Sequence, residues 1–392
     1  MHDIFGLLIT FFFLPPSFSY TFHNVRDFGA DPTGTNDSSQ SFLAAWSAAC
    51  NDGDPTSIWV LPGTYLIQQP VKFSGPCRSP QVGVKIMGNL TGPSDYRALG
   101  DAPAWVSFHE VDNLYVNGGT FDARGPALWA CKDSGTACPD GTTTVSFTNC
   151  NHLRIKDLVS IDSQKFHVSI NRCQNVRVIG VRISADGNSP NTDGIHVQLS
   201  TNVVILHSAI STGDDCISIG PGTRNLKIEH IRCGPGHGIS IGSLAKDSQE
   251  PGVENILVKN VLFVNTQNGV RIKSWARPSS GFVRGIRFVN AGMLYAHNPI
   301  IIDQNYCPQD ATCPDQGSSV RISDVVYKNI WGVSATPTAV RFNCSSEVPC
   351  SRIRMKNILL LYMDEVAMSA CANAIGEAYG AVQPSSCLDG AL

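Results

Sequence analysis

From residue 113 to residue 272 the chain repeats a short motif, and the spacing of the copies limits what it can fold into. A polar residue followed by two aliphatics at alternate positions occurs at Asn113-Leu114-x-Val116 and His152-Leu153-x-Ile155. It returns at Asn175-Val176-x-Val178, Asn202-Val203-x-Ile205, Asn225-Leu226-x-Ile228 and Asn255-Ile256-x-Val258, with steps of 23, 27, 23 and 30 residues from 152 onward. A second motif is interleaved with it: Gly194-Ile195-x-Val197, Cys216-Ile217-x-Ile219, Gly238-Ile239-x-Ile241 and Gly269-Val270-x-Ile272, with steps of 22, 22 and 31. Alternation at period two, broken by Gly, Asn and Asp, excludes a helical repeat. Two short strands per period of this length imply an all-β parallel β-helix, in which each coil buries its core only by stacking on the next.

A chain of 392 residues would ordinarily suggest two or three domains, but a solenoid makes residues 20–392 one unit. With 42% hydrophobic and 16% charged residues the chain can fill a large core, and a net charge of -3 predicts no nucleic acid or acidic membrane as partner. An anionic ligand must be held by a local cluster of cations. Before the repeats, the segment from Asp37 to Ala49 places Phe42, Ala45, Trp46 and Ala49 at helical spacing. It predicts an amphipathic helix with Asp37 as N-cap, covering the open end of the solenoid.

The apolar run Ile4–Leu14, followed by Pro15-Pro16 and small residues, is too short to span a bilayer and reads as a secretory signal peptide over residues 1–19. Fourteen cysteines without a paired CxxC agree with an extracellular, disulfide-bonded protein. The short-range candidates are Cys131-Cys138, Cys307-Cys313, Cys344-Cys350 and Cys371-Cys387. Cys150 and Cys173 lie at matching positions of adjacent coils, a spacing compatible with a further bridge. Asn36, Asn89 and Asn343 are glycosylation sequons. No exposed hydrophobic seam is evident, so a monomer is expected.

Alternation assigns the polar residues to faces. In Val270-Arg271-Ile272-Lys273 the aliphatics point inward, so Arg271 and Lys273 point outward, as do His196, Ser218 and Ser240 on neighbouring coils. Steps of 22 place Asp193, Asp215 and His237 in one column, with Asn268 next and Asp214 beside it. Three carboxylates, an imidazole and two cations thus meet on one exposed strip. Asx residues at such turns often serve only the backbone. Crowding three carboxylates raises at least one pKa, a cost that points to use rather than to turn structure. A divalent-ion site is the alternative reading of Asp, Asp and His; no metal or cofactor is expected. The glycines of Gly234-Pro235-Gly236-His237-Gly238 precede a strand, so they are not a dinucleotide loop. Glycoside hydrolysis is the chemistry that needs one protonated and one ionised carboxyl side by side. Arg271 and Lys273 suggest an anionic sugar, although salt bridges to Asp193 or Asp215 would also occupy them.

Asn191-Thr192-Asp193-Gly194, Gly213-Asp214-Asp215-Cys216, Gly236-His237-Gly238 and Arg271-Ile272-Lys273, in this order, resemble the polygalacturonases of glycoside hydrolase family 28. Asp95-Tyr96-Arg97-Ala98-Leu99-Gly100 and Leu128-Trp129-Ala130-Cys131 resemble its plant members. The resemblance implies a right-handed β-helix and inverting cleavage of α-1,4-linked galacturonan, the backbone of pectin, outside the cell or in its wall. It implies Asp214 as general acid, Asp193 and Asp215 as the groups activating water, and His237 as the partner of the acid. It also implies substrate binding by Asn191, Arg271, Lys273 and Tyr306, and a Cys216-Cys233 bridge. Ala245 stands where related plant sequences more often have glycine. Internal cutting is favoured over terminal action. The alternatives are a calcium-dependent β-helix lyase acting on the same polymer and a non-catalytic wall-binding solenoid.

Overall fold

A computed structural model describes residues 20–308, 312–314 and 316–390. The proposed signal peptide lies outside them. Among the described residues the strands form a right-handed parallel β-helix, hydrogen-bonded into an 18-stranded and an 11-stranded sheet. The larger sheet wraps two sides of each coil, because strands such as Thr201–Ser211 turn a corner at His207, whose φ is 51°. The smaller sheet forms the remaining side and carries the polar strip.

Register follows the sequence repeat. Ile195 pairs with Ile217, Ile217 with Ile239 and Ile239 with Val270. All four are fully buried. A one-residue slip would exchange these side chains with the charged set outside, which fixes the register strongly. At one corner the leading Asn residues of the first motif adopt positive φ, 55° at Asn175, 57° at Asn202, 53° at Asn225 and 58° at Asn255. Their side-chain amides bond in series, Asn255 to Asn225 to Asn202 to Asn175 to Asn151, at 3.0–3.2 Å. Asn is the side chain that tolerates this conformation and can also bond to its own kind one coil away.

The capping helix runs Ser39–Cys50 and seals the core with Phe42, Ala45, Trp46 and Ala49. Trp46 packs on Phe73 and Phe108 at 5.1 and 5.7 Å and donates its indole N–H to Ser74 O at 3.0 Å. The N-cap is Ser38 rather than Asp37. The Asp37 carboxylate still takes the Ser39 N–H, but it also takes Gln68 N–H from a neighbouring coil, so it is a tie between helix and solenoid.

Six disulfides form, Cys131–Cys138, Cys307–Cys313, Cys344–Cys350, Cys371–Cys387, Cys216–Cys233 and, not foreseen, Cys50–Cys77. The Cys50–Cys77 bridge fastens the end of the capping helix. Cys150 and Cys173 do not pair and remain buried thiols. The two residues are neighbours, with Cys150 N–H donating to Cys173 Sγ at 3.4 Å, but each thiol also lies against carbonyls, Cys150 against Phe108 and Thr148, Cys173 against Phe147 and Asn171.

Candidate active site

The site is set by the turns that enter three successive strands, Ile195–Gln198, Ile217–Ile219 and Ile239–Leu244. Close backbone packing holds these turns. A Cβ at Gly213 would lie 2.1 Å from Ser189 O, so only glycine lets the Asp214-Asp215 turn nest on the one before it. Behind it, Thr192 Oγ1 bonds to Ser189 Oγ at 2.6 Å and to Thr212 Oγ1 at 2.7 Å. His237 N–H donates to Asp214 O at 2.7 Å, and the Cys216–Cys233 bridge anchors the start of the middle strand.

Asp215 is the centre of the cluster and is 1% exposed. Its Oδ1 accepts from Arg271 Nη2 at 2.8 Å and from Ser240 Oγ at 2.6 Å, and its Oδ2 accepts from Lys273 Nζ at 2.9 Å. Burial alone would raise its pKa, but Lys273 and then Arg271 outweigh burial and hold it at about 2. Asp193 makes no ion pair among the described residues, and Ser218 and the charge of Lys273 only partly oppose its burial. Burial first, then the charges of Asp214 and Asp215, pushes it well above the ordinary carboxylate range. Asp214 is half-buried and takes His237 Nδ1 at 3.1 Å.

The structure therefore sorts the sequence column differently from its backbone register. His237 is level with Asp215 along the sheet but turns to Asp214. Arg271 and Lys273 point away from the core as alternation requires, yet they are 7% and 6% exposed instead of lying on an exposed strip, because Asp215 has drawn them in. The salt-bridge alternative for these cations is realised at Asp215, and their charge toward a ligand is reduced accordingly. Tyr306 lies beside them, its ring 5.0 Å from Lys273 Nζ and 5.9 Å from the Arg271 guanidinium. Asn191 is exposed at a positive φ of 56° on the rim of the cleft. Asn268 is buried and donates to His237 O at 3.0 Å, a backbone support.

All of Asn191, Asp193, Asp214, Asp215, Lys273 and Tyr306 line one cleft of about 620 Å³, within the usual range for ligand sites. Carboxylate atoms of Asp193, Asp214 and Asp215 lie within 4.8 Å of one another, an array that could also serve a hard cation. Asp215, however, is already neutralised by two buried cations, which leaves a dication little charge to bind. Three contributors escaped the sequence reading of roles. Ser240 bridges Asp215 and Arg271, bonding Arg271 Nε at 2.9 Å, and only its outward position hinted at this. His196 bonds Ser218 and Gln198 and stacks on Phe166 at 4.8 Å, forming part of the cleft floor. Glu250, on a loop after the third strand, had no signal in a local motif.

The family model for glycosyl hydrolases family 28 matches residues 50–385. The chain belongs to that family. It is 50% identical over 389 residues to a polygalacturonase of Prunus persica, covering 98% of this chain and 99% of that one. It is 38% identical over 355 residues to an exopolygalacturonase of Platanus acerifolia, covering 89% and 93%. Among solved structures, an endo-xylogalacturonan hydrolase from Aspergillus tubingensis aligns with a TM-score of 0.77 at 20% identity, over 93% of this chain and 99% of that one. Membership makes the protein a glycoside hydrolase.

Proposed function

We propose that the protein is a secreted hydrolase that cleaves α-1,4-galacturonosyl linkages of pectin by inversion. The observation that carries this is the cluster of Asp193, Asp214 and Asp215, whose carboxylate atoms lie within 4.8 Å of one another in one cleft. Asp215 is fixed as an anion by Lys273 and Arg271, whereas burial and the neighbouring charges push Asp193 well above the ordinary carboxylate range, so adjacent carboxyls differ in their hold on a proton. Asp214, the least buried of the three and paired with His237, is the general acid and delivers the proton to the leaving oxygen. Ionised Asp215 takes the proton of the attacking water, and Asp193 beside it orients that water by a hydrogen bond. Lys273, Arg271 and Tyr306 bind the uronate beside the scissile bond, and Asn191 positions it from the rim. Single oxygens of the three carboxylates lie within 4.8 Å of one another, whereas the carboxyl groups of inverting pairs usually stand about 6.5–9.5 Å apart, so the stereochemical outcome is the sharpest test of this reading. Anomer-resolved NMR of the first product tests inversion directly.

The cleft-lining residues come from the strands and from turns along the two long edges of the sheet, which supports internal cutting of a polymer lying along the solenoid axis. The product-size profile against time tests that: early release of monomer alone would show terminal action. Reducing-end release from polygalacturonate that persists in chelator, with no ultraviolet-absorbing unsaturated product, separates hydrolysis from a lyase. A protein that binds the polymer without releasing ends would be the wall-binding solenoid instead. The six disulfides support an extracellular location, and no described helix is long and apolar enough to cross a membrane. A monomer with pectin as its partner and no cofactor is part of the same proposal.

A further inference from the structure

Three lysines line the cleft: Lys165, Lys246 and Lys273. Lys273 is committed to Asp215, and Lys165 pairs with Asp140. Lys246 is exposed and has no ion pair among the described residues. The nearest carboxylates in sequence do not neutralise it. Asp247 makes no ion pair, and both oxygens of Glu250 are taken by backbone: Oε2 accepts Ala245 N–H at 2.7 Å and Oε1 accepts Asp247 N–H at 2.9 Å. Glu250 is only 7% exposed, so this double cap on the two residues flanking Lys246 is shielded from water.

The rest of the loop is fastened as firmly. Arg277 Nη1 donates to Lys246 O at 3.3 Å, Ser279 Oγ donates to Asp247 O at 3.0 Å, and Ser280 N–H donates to Ser248 O at 2.9 Å. Ala245 is fully buried at a φ of 63°, the left-handed region that costs a residue with a Cβ about 1–2 kcal/mol. A loop held by a buried carboxylate through a strained residue is organised to present something, and the side chain left at its tip, facing the cleft, is an unpaired ammonium.

We propose that Lys246 binds the carboxylate of a uronate unit other than the one held by Arg271 and Lys273, and that Glu250 is the positioning residue that holds it there. With the charge of Arg271 and Lys273 largely spent on Asp215, Lys246 is, among the described residues, a cleft cation left to pair with a polyanionic substrate. This rests on the polyuronate reading above. In that setting a charged pair makes its main contribution to ground-state binding, so it moves KM more than kcat.

The test compares wild-type enzyme with Lys246→Met and Lys246→Arg on polygalacturonate. Lys246→Met should raise KM about tenfold with kcat within about twofold, and Lys246→Arg should return KM to near the wild-type value. Raising salt should weaken wild-type binding more steeply than that of Lys246→Met. Glu250→Gln, which puts an amide N–H against one of the two backbone donors, should raise KM in the same direction, and adding it to Lys246→Met should give little further effect. An unchanged KM in Lys246→Met, or an equal loss in Lys246→Arg, overturns the inference. A wild-type enzyme that leaves polygalacturonate uncut overturns the functional reading instead.

Discussion

Stacking builds two polar columns in this protein, and they have opposite characters. The asparagine ladder from Asn151 to Asn255 lies at an exposed corner, where each neutral amide donates to the amide one coil earlier. The column containing Asp193, Asp215 and His237 is produced by the same coil spacing but is filled with groups that cannot satisfy one another. Two carboxylates are buried; one is bound by two cations, and the other is pushed by burial and its neighbours' charges well above the ordinary carboxylate range. Regular stacking therefore makes a structural ladder when the repeated group is both donor and acceptor, and a reactive site when it is an acceptor only.

The largest break in this comparison is expected from Asp214→Asn. It keeps the shape of the turn and removes the proposed proton donor, so kcat on polygalacturonate should fall by about 10²–10⁴ while the melting temperature stays near wild type. Asp215→Asn attacks the frustrated column at its counter-ion. Buried Arg271 and Lys273 would lose their anion, at a cost of about 3–5 kcal/mol in unfolding free energy measured by denaturant titration. An unfolding midpoint unchanged by this substitution would mean that the two cations are not held by Asp215 in solution.

The pH dependence of stability divides the same column. Asp215 has a folded-state pKa of about 2 against 3.8 for the free group, so its contribution is complete above pH 4 and is lost as pH falls through 2. Asp193 is shifted the other way. Its contribution is complete below pH 4 and is lost as pH rises through its raised pKa. Asp193→Asn should therefore stabilise the enzyme by about 1–2 kcal/mol at neutral pH and by almost nothing near pH 3, while abolishing turnover. Thermal melts at the two pH values check this, and a loss of stability at neutral pH would contradict the burial assigned to Asp193.

The sequence carried the coil repeat, the inward aliphatics and the membership of the acidic column, because each depends on period-two alternation and constant coil length. It did not carry which carboxylate each cation chose. Arg271 and Lys273 reach Asp215 across two coils, a choice made by side-chain length and by Ser240, and a one-dimensional register has no record of either. Cys150 and Cys173 fail for a related reason: equal positions on adjacent coils bring them together, but the backbone groups that engage each sulfur leave no trace in the spacing. Glu250 was illegible because its partners are backbone amides of a loop without a repeat.

The smallest effect is expected on the ladder itself. Asn225 donates to Asn202 and accepts from Asn255, each at 3.2 Å, and sits at a φ of 53°. Asn225→Ala removes both side-chain bonds and places a Cβ residue that lacks a local bonding partner in the left-handed region. Asn225→Gly removes the same bonds but relieves the backbone. Because the ladder is exposed, water replaces much of what is lost, so the alanine variant should cost about 1–2 kcal/mol and the glycine variant less. Both should leave kcat and KM on polygalacturonate unchanged, since the corner lies on the sheet that does not carry the cleft. Denaturant titration of the pair separates the amide bonds from the backbone conformation. A glycine variant as damaged as the alanine one would show that the hydrogen-bonded ladder, rather than the tolerance of asparagine for positive φ, holds the coils in register.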